Sequence, residues 1–509
     1  MSDPNVPLTR REVRDAAKSR SPFSSSTKPP KQPATDPATG EPVAPSGIAA
    51  LIAKHPRIWL GSALGVAFLV LATGALFAGV AVGGGRAGAS GDGTEETQIP
   101  DRVSPAEIPA ATRLRTCTVA PLAADAALMT LRGEVINAST GEVLFTRGGD
   151  APARTASLLK TLTASAALLS LGADYRLTTS VFEGSAPGSV VLVGGGDATL
   201  NSLESGENVY KGAARLQDLA DKVNNSWDAL HPGVPITSIV LDSNMWSPSD
   251  KWNADWARSE QKNGYLSEVT ALQVDGDRLD PTTAVSRRST DPVMNAGKKF
   301  AAALGVPDAT LTLGSSTSAR NLGEVRSQPV STLINQMLVA SDGTLAETLA
   351  RVVSTQMGLG GTSASVGQAI TGAIQPLGLD TSTLVIVDGS GLSAKNGIPP
   401  DFMAKFMALA VKGGNDLTYV YNSLAVAGES GALKNRFTGA NAVVKGKVVG
   451  KTGFITSAYT LAGLVTAEDG TLLAFAFYAI GDGIKETAKA SLDNLVTGVY
   501  GCGDNLANN

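Results

Sequence analysis

The chain changes character along its length, and the changes are visible in how apolar and polar positions alternate. Residues 58–82 (IWLGSALGVAFLVLATGALFAGVAV) form a run of 25 without a charge. That is enough for a helix across a bilayer core of about 30 Å, which takes about 20 residues. Further on, apolar and polar residues alternate over 133–138 and 142–147 around Ser139-Thr140-Gly141, a hairpin signal. At Ser157 the pattern becomes a helix rich in Leu and Ala (SLLKTLTASAALLSLG), ending near Gly172. Near the C-terminus, 447–450 leads into Lys451-Thr452-Gly453, and strands over 460–466 and 471–480 flank the turn Glu468-Asp469-Gly470. An amphipathic helix is expected over 484–499. The middle, about 181–313, holds short β-like runs (SVVLVGG, ITSIVLD) among loops rich in Trp, Pro and Asn. The pattern predicts an α/β (α+β) domain over 113–180 and 314–509, its sheet closed by strands from both ends. A mostly β domain is expected to be inserted at 181–313.

Charge orients the apolar run. The 57 residues before it carry nine Lys/Arg against five acids, a net +4, whereas the whole chain carries −4. Positive-inside reasoning keeps residues 1–57 in the cytoplasm and sends the rest across as a single-pass protein of the cytoplasmic membrane. A cleaved signal peptide is the competing reading, but its charged region is normally much shorter and its apolar core less long. Ten of the 26 prolines fall in residues 1–57, which read as a disordered tail. Residues 83–112, rich in Gly, Ala and Ser and then polar, read as a linker. Hydrophobic residues at 43% support a sizeable core beyond it, and the absence of a basic excess over the whole chain argues against nucleic-acid binding.

Only two histidines and two cysteines are present, and they are scattered, so a His/Cys metal site is not expected. Cys117 and Cys502 bracket the exported part, where a disulfide can persist; two unpaired buried thiols are the alternative. His55 precedes the apolar run and His231 sits in a His-Pro-Gly turn, so a Ser-His-Asp hydrolase has no usable base. Lysine can replace histidine if its pKa is lowered. Ser157-Leu158-Leu159-Lys160 puts a hydroxyl and an ammonium one helical turn apart on the same face. Ser25…Lys28 and Ser259…Lys262 share the spacing, but only Ser157 opens an apolar helix. Taken alone, Ser157 reads as readily as a helix N-cap.

Two further motifs change that weighing. Lys451-Thr452-Gly453 is the only Lys-Ser/Thr-Gly in the chain and lies on a predicted strand. Ser341-Asp342-Gly343 lies between the other two, just before a predicted helix, where a simple Ser/Asp cap is the competing explanation. Ser-x-x-Lys, Ser-Asp-Asn and Lys-Thr-Gly form the set of penicillin-binding proteins and class A β-lactamases. Over residues 131–500 the chain resembles the D-alanyl-D-alanine carboxypeptidase/endopeptidase group of low-molecular-mass penicillin-binding proteins. The resemblance rests on the three motifs and on Leu192-Val193-Gly194-Gly195-Gly196-Asp197 and Val269-Thr270-Ala271-Leu272-Gln273-Val274-Asp275. It rests above all on Asp388-Gly389-Ser390-Gly391-Leu392-Ser393.

The resemblance implies a penicillin-recognising serine transpeptidase fold, here with an insertion shorter than usual. It implies a cofactor-free serine DD-peptidase acting through an acyl-enzyme on peptidoglycan stem peptides and β-lactams. Ser157 would be the nucleophile, Lys160 its base, and Ser341 a proton relay. Lys451, Thr452 and Gly453 would bind the substrate carboxylate, and the N–H groups of Ser157 and Phe454 would form the oxyanion hole. Asp388 and Ser390 would belong to a supporting turn. Two positions depart from the family pattern: Gly343 stands where Asn is usual, and Ala394 where Arg is usual. Gly343 removes a side-chain hydrogen bond to the substrate and a contact to Lys160. Slow turnover is therefore expected, and a non-catalytic wall-binding or scaffolding protein is the alternative.

Overall fold

The protein is described from a computed structural model over residues 114–508. The expected tail (1–57), apolar span (58–82) and linker (83–112) lie outside the described residues. Among the described residues no helix is long and apolar enough to cross a membrane.

Two sheets organise the chain. The first has six strands in the order β2-β1-β11-β10-β9-β8, all antiparallel. They are β1 (Thr130–Asn137), β2 (Val143–Arg147), β8 (Ala425–Val426), β9 (Val448–Ile455), β10 (Ala458–Thr466) and β11 (Leu472–Ile480). β1 pairs with β11 along its whole length, so the first long strand and the last close one sheet. Along β11, Leu473, Phe475, Phe477 and Ala479 enter one core while Ala474, Ala476 and Tyr478 enter another. Alternate side chains leave a strand on opposite faces. A strand apolar at every position therefore identifies a sheet covered on both sides.

The final helix, Thr487–Cys502, covers one face through Ala488, Leu492, Leu495, Val496 and Val499. On the other face lies a helical layer built around α1 (Leu159–Leu171), whose first ten residues are all buried. It is buried around its whole circumference, and its polar side chains are bonded inside: Thr161, Thr163 and Ser165 donate to the Leu158, Gly389 and Thr161 carbonyls. Gly172 ends it with φ +88°, a conformation that glycine adopts without a Cβ clash. Cys117 and Cys502 form the disulfide, with Cα atoms 5.4 Å apart, tying the start of the described chain to the last helix.

The second sheet has the order β6-β5-β4-β3-β7. Its strands are β3 (Thr178–Glu183), β4 (Ser189–Val193), β5 (Ser238–Asp242), β6 (Thr310–Leu313) and β7 (Asn321–Arg326). The β4–β5 and β5–β6 pairs are parallel, the others antiparallel. The expectation of a mostly β insert is corrected here, because parallel neighbours require crossover connections. Two of those are helices, α2 (Leu216–Leu230) and α3 (Pro292–Ala303), which bury Leu216, Leu219, Val223 and Phe300 against the sheet. α2 carries Leu216, Leu219, Ala220, Val223 and Trp227 at helical spacing, so the signal was present in the chain and was outweighed by the strand-like runs and Trp/Pro/Asn loops around it. β7 also lies beyond residue 313 and pairs with β3, so the sheet draws on chain from either side of 181–313.

Candidate active site

Three elements converge where the first sheet meets the helical layer. Ser157 lies in the 3-10 turn Ala156–Leu158 that leads into α1. It makes no capping bond, so the N-cap explanation does not hold. The turn is strained at Ala156, whose φ of +47° is rare for a residue with a Cβ. Close backbone packing holds it there. Thr460 Oγ1 on β10 donates to the Thr155 carbonyl at 2.8 Å. Two glycines permit the rest: a Cβ on Gly453 would lie 2.9 Å from Ser157 N, and one on Gly391 would strike the Ala156 carbonyl. β9 therefore runs beside the Ser157 amide, which is the arrangement an oxyanion hole from the Ser157 and Phe454 amides requires. The Phe454 side chain is 52% exposed and stacks on Tyr459 with ring centres 4.5 Å apart.

One helical turn on, Lys160 is 2% exposed and donates from Nζ to Ser157 Oγ at 3.0 Å and to the Ser390 carbonyl at 2.7 Å. Burial lowers its pKa to about 8, against an opposing pull from Asp388, Glu347 and Asp342. The alternative pair Ser259…Lys262 is exposed at both residues and lacks any such burial.

Ser390 acts through its backbone, and Asp388 explains why that backbone is fixed. The Asp388 carboxylate accepts from Gly391 N (2.7 Å), Ser393 N (2.7 Å), Asn396 Nδ2 (2.9 Å) and Trp256 Nε1 (3.0 Å). The peptide whose carbonyl receives Lys160 thus presents its N–H to Asp388. Glu347, which the sequence reading missed, accepts from Gly389 N (3.0 Å) and Ser390 N (2.7 Å). Burial, and then Asp388, raise its pKa to about 7. Its place four residues after Gly343 on an apolar helix was the available signal.

On the opposite wall, α4 (Val330–Ala340) ends at Ser341, which takes left-handed φ/ψ of 54°/39°. α5 (Gly343–Gln356) begins two residues later, capped by Asp342 Oδ1 accepting from Leu345 N at 3.0 Å. The cap explanation is right for Asp342 and not for Ser341, whose Oγ accepts from Lys451 Nζ at 2.9 Å. Lys451 is 3% exposed and also donates to the Thr452 carbonyl at 2.9 Å. Burial, with Lys160 adding to it, brings its pKa down to about 7.

Gly343 is buried, and a Cβ there would stand 3.3 Å from both Leu266 Cδ1 and the Tyr265 carbonyl. Both of those nearest atoms belong to the insert, so a side chain at 343 would press on it. His231 sits after α2, its Nε2 2.9 Å from Glu183 Oε1, and takes no part at Ser157.

The D-Ala-D-Ala carboxypeptidase 3 (S13) family matches residues 116–285 and 280–498. The chain belongs to this family. It is 34% identical to carboxypeptidase DacB of Mycolicibacterium smegmatis over 466 residues, covering 88% of this chain and 99% of that protein. A carboxypeptidase of Mycobacterium tuberculosis is 34% identical over 395 residues, or 76% of this chain and 84% of that one. The crystal structure of penicillin-binding protein 4 (DacB) from Haemophilus influenzae superposes with a TM-score of 0.60 at 18% identity. It covers 73% of this chain and 95% of that one, a likeness of fold. Membership of this S13 family agrees with the sequence resemblance, and it makes the chain a serine-type carboxypeptidase.

Proposed function

We propose that the chain is a serine D-alanyl-D-alanine carboxypeptidase/endopeptidase that works on peptidoglycan stem peptides through an acyl-enzyme on Ser157 and is acylated by β-lactams at the same atom. The observation that carries this reading is the buried Lys160, 3.0 Å from Ser157 Oγ, with its pKa lowered to about 8. A neutral Lys160 takes the Ser157 proton as Oγ attacks the D-alanyl carbonyl. Negative charge on that carbonyl oxygen falls to the Ser157 and Phe454 amides. Ser341 gives its proton to the leaving nitrogen and regains one through its bond from Lys451. A proton then returns from Lys160 to Lys451, and the neutral Lys160 activates the water that releases the acyl group. Lys451 and Thr452 receive the terminal carboxylate, whose charge favours protonated Lys451. Gly453 lets the strand approach closely enough for this.

The location is part of the proposal. The apolar run at 58–82 and the net +4 of residues 1–57 favour a single-pass anchor in a bacterial cytoplasmic membrane, with the folded part outside. External protease on intact cells should then remove the folded part and leave the tail.

The test of the chemistry is labelling of the full chain in detergent with fluorescent penicillin, alongside Ser157→Ala and Lys160→Ala. Stable labelling lost in Ser157→Ala is the expected result. A folded wild type that neither labels nor hydrolyses the drug would overturn it. The scaffolding alternative would then stand, and it is favoured by one feature: Leu266 and the Tyr265 carbonyl crowd the side-chain space at Gly343.

A further inference from the structure

The wall that carries Ser341 is held by the insert, through side chains buried between the two parts of the fold. Asp342 Oδ2 accepts from Tyr210 Oη at 2.8 Å and from Arg278 NH2 at 2.8 Å. The Arg278 and Asp342 side chains are 4% and 3% exposed. Arg278 NH1 also donates to Tyr210 Oη at 2.8 Å and to the Asp275 carbonyl at 3.0 Å, which closes a triangle of three buried groups. Burial alone would raise the Asp342 carboxyl, but Arg278 and Arg288 hold it well below the usual carboxylate range.

Arg278 is delivered by costly backbone. Asp275, Gly276 and Asp277 take φ of +55°, +58° and +59°, three successive residues in the left-handed region. Strain of this kind persists only where its surroundings over-determine it. Here Asp275 N donates to Leu200 O at 2.9 Å, Gly276 N to Ala198 O at 2.6 Å, and Asn208 Nδ2 to Asp275 Oδ1 at 2.7 Å. Arg288 NH1 donates to the Gly276 carbonyl at 2.6 Å. A Cβ on Gly276 would lie 2.5 Å from both Tyr210 Oη and Arg278 NH1, so glycine is needed where the triangle closes. At the far end of the same chain of bonds is Ser341, also left-handed, with its Oγ on Lys451.

We propose that Arg278 and Tyr210 of the insert are positioning residues for the proton relay: by fixing the Asp342 carboxylate they hold the left-handed backbone that aims Ser341 Oγ at Lys451. This rests on the reading of Ser341 as the group that protonates the leaving nitrogen. The insert is then a working part of the catalytic centre as well as a neighbouring domain.

Leaving-group dependence separates this role from a general loss of structure. An amide nitrogen must be protonated as it leaves, whereas a thiolate needs no proton, so a relay matters for the first and little for the second. The full chain is assayed on a D-alanyl-D-alanine peptide and on a thioester of the same acyl group, comparing kcat/KM. Ser341→Ala is expected to lose about 100-fold on the amide and only severalfold on the thioester. Tyr210→Phe removes one bond to Asp342 while keeping the ring 5.0 Å under the Arg278 guanidinium. It should show the same selectivity at about tenfold on the amide, with a lowered thermal midpoint but an intact fold, since Asp342 keeps its bond from Arg278. Arg278→Gln leaves a buried carboxylate short of a cation and can unfold. Arg278→Lys keeps the charge without the fork, and its amide loss should fall between wild type and Arg278→Gln wherever the latter folds. Tyr210→Phe with equal losses on both substrates, or none, beside a selective Ser341→Ala overturns the clamp alone. An unselective Ser341→Ala overturns the relay reading and the clamp's role with it.

Discussion

The two walls of the cleft are held by different physics. On the Ser157 wall the closest fixing contacts are between backbones, two glycines letting β9 and the 388–393 turn lie against the nucleophile's own backbone, with the Asp388 and Glu347 carboxylates bracing that turn through its N–H groups. On the Ser341 wall they are side-chain charges from another part of the fold, Arg278 and Tyr210 on Asp342. Backbone packing tolerates almost no displacement, because interiors are close-packed. A buried ion pair can be weakened in steps by substitution, yet it is heavily penalised when one partner is removed. The Ser157 wall should therefore fail abruptly when altered, and the Ser341 wall by degrees.

The largest effect is expected from the nucleophile. Ser157→Ala should abolish covalent labelling by fluorescent penicillin altogether, with the fold intact by circular dichroism. Gly391→Ala probes the same wall without touching a reacting group. Its φ of +82° disfavours any Cβ, and that Cβ is aimed at the Ala156 carbonyl. Displacing the Ser157 amide should slow acylation by about 10²-fold, the scale of one lost oxyanion donor. Acylation within twofold of wild type would mean that the wall is softer than its packing implies.

pH sharpens the comparison because each of the two hydroxyls has its own buried lysine, Lys160 on Ser157 and Lys451 on Ser341. Lys160 must be neutral to take a proton, so acylation should rise with pH toward about 8. Lys451 must keep its proton to serve Ser341 and the carboxylate, so activity should fall as pH rises through and beyond about 7. The reactive form is then a minority state in which one proton is shared between two lysines. The acylation rate should trace a narrow bell between roughly pH 7 and 8, with both apparent values belonging to the pair. A plateau extending to pH 10 would remove Lys451 from the reaction.

Smaller effects are expected at Gly343 and at the disulfide. Gly343→Asn should destabilise by about 1–3 kcal/mol through overpacking against Leu266 and should not speed acylation. Leu266→Ala is itself costly at a fully buried site, so the crowding is read as coupling: Gly343→Asn should cost less in the Leu266→Ala background than in wild type. Replacing both Cys117 and Cys502 by Ser should cost about 2–4 kcal/mol of stability. Acylation of the folded protein should stay unchanged, since the bridge packs on the sheet face opposite α1.

Much of the Ser157 wall was legible in the chain. Ser157 and Lys160 share one helical face at a spacing of three, and Lys451 to Gly453 sit on a strand marked by its apolar neighbours. The paired terminal strands were equally plain, because β11 is apolar at alternate positions on both faces. The Asp388–Ser393 run was noticed, but the atom that matters is the Ser390 carbonyl, and no residue type encodes a carbonyl. The insert was misread as mostly β because α2 and α3 lie between short strands and loop-like stretches.

Chain order alone carries the local chemistry: a hydroxyl and an amine one turn apart, a Lys-Thr-Gly strand, and two cysteines bracketing one domain. Such features depend on spacing along the chain, which sequence states directly. Tertiary structure alone decided which groups are withdrawn from water and which distant residues complete them. Lys160 and Lys451 lose part of their proton affinity because both are buried, and Lys451 further because Lys160 is brought near it. Tyr210, Arg278 and Asp342 become one unit only because α5 begins against the insert. Burial and charge pairing act through space, and the order of residues does not record that distance.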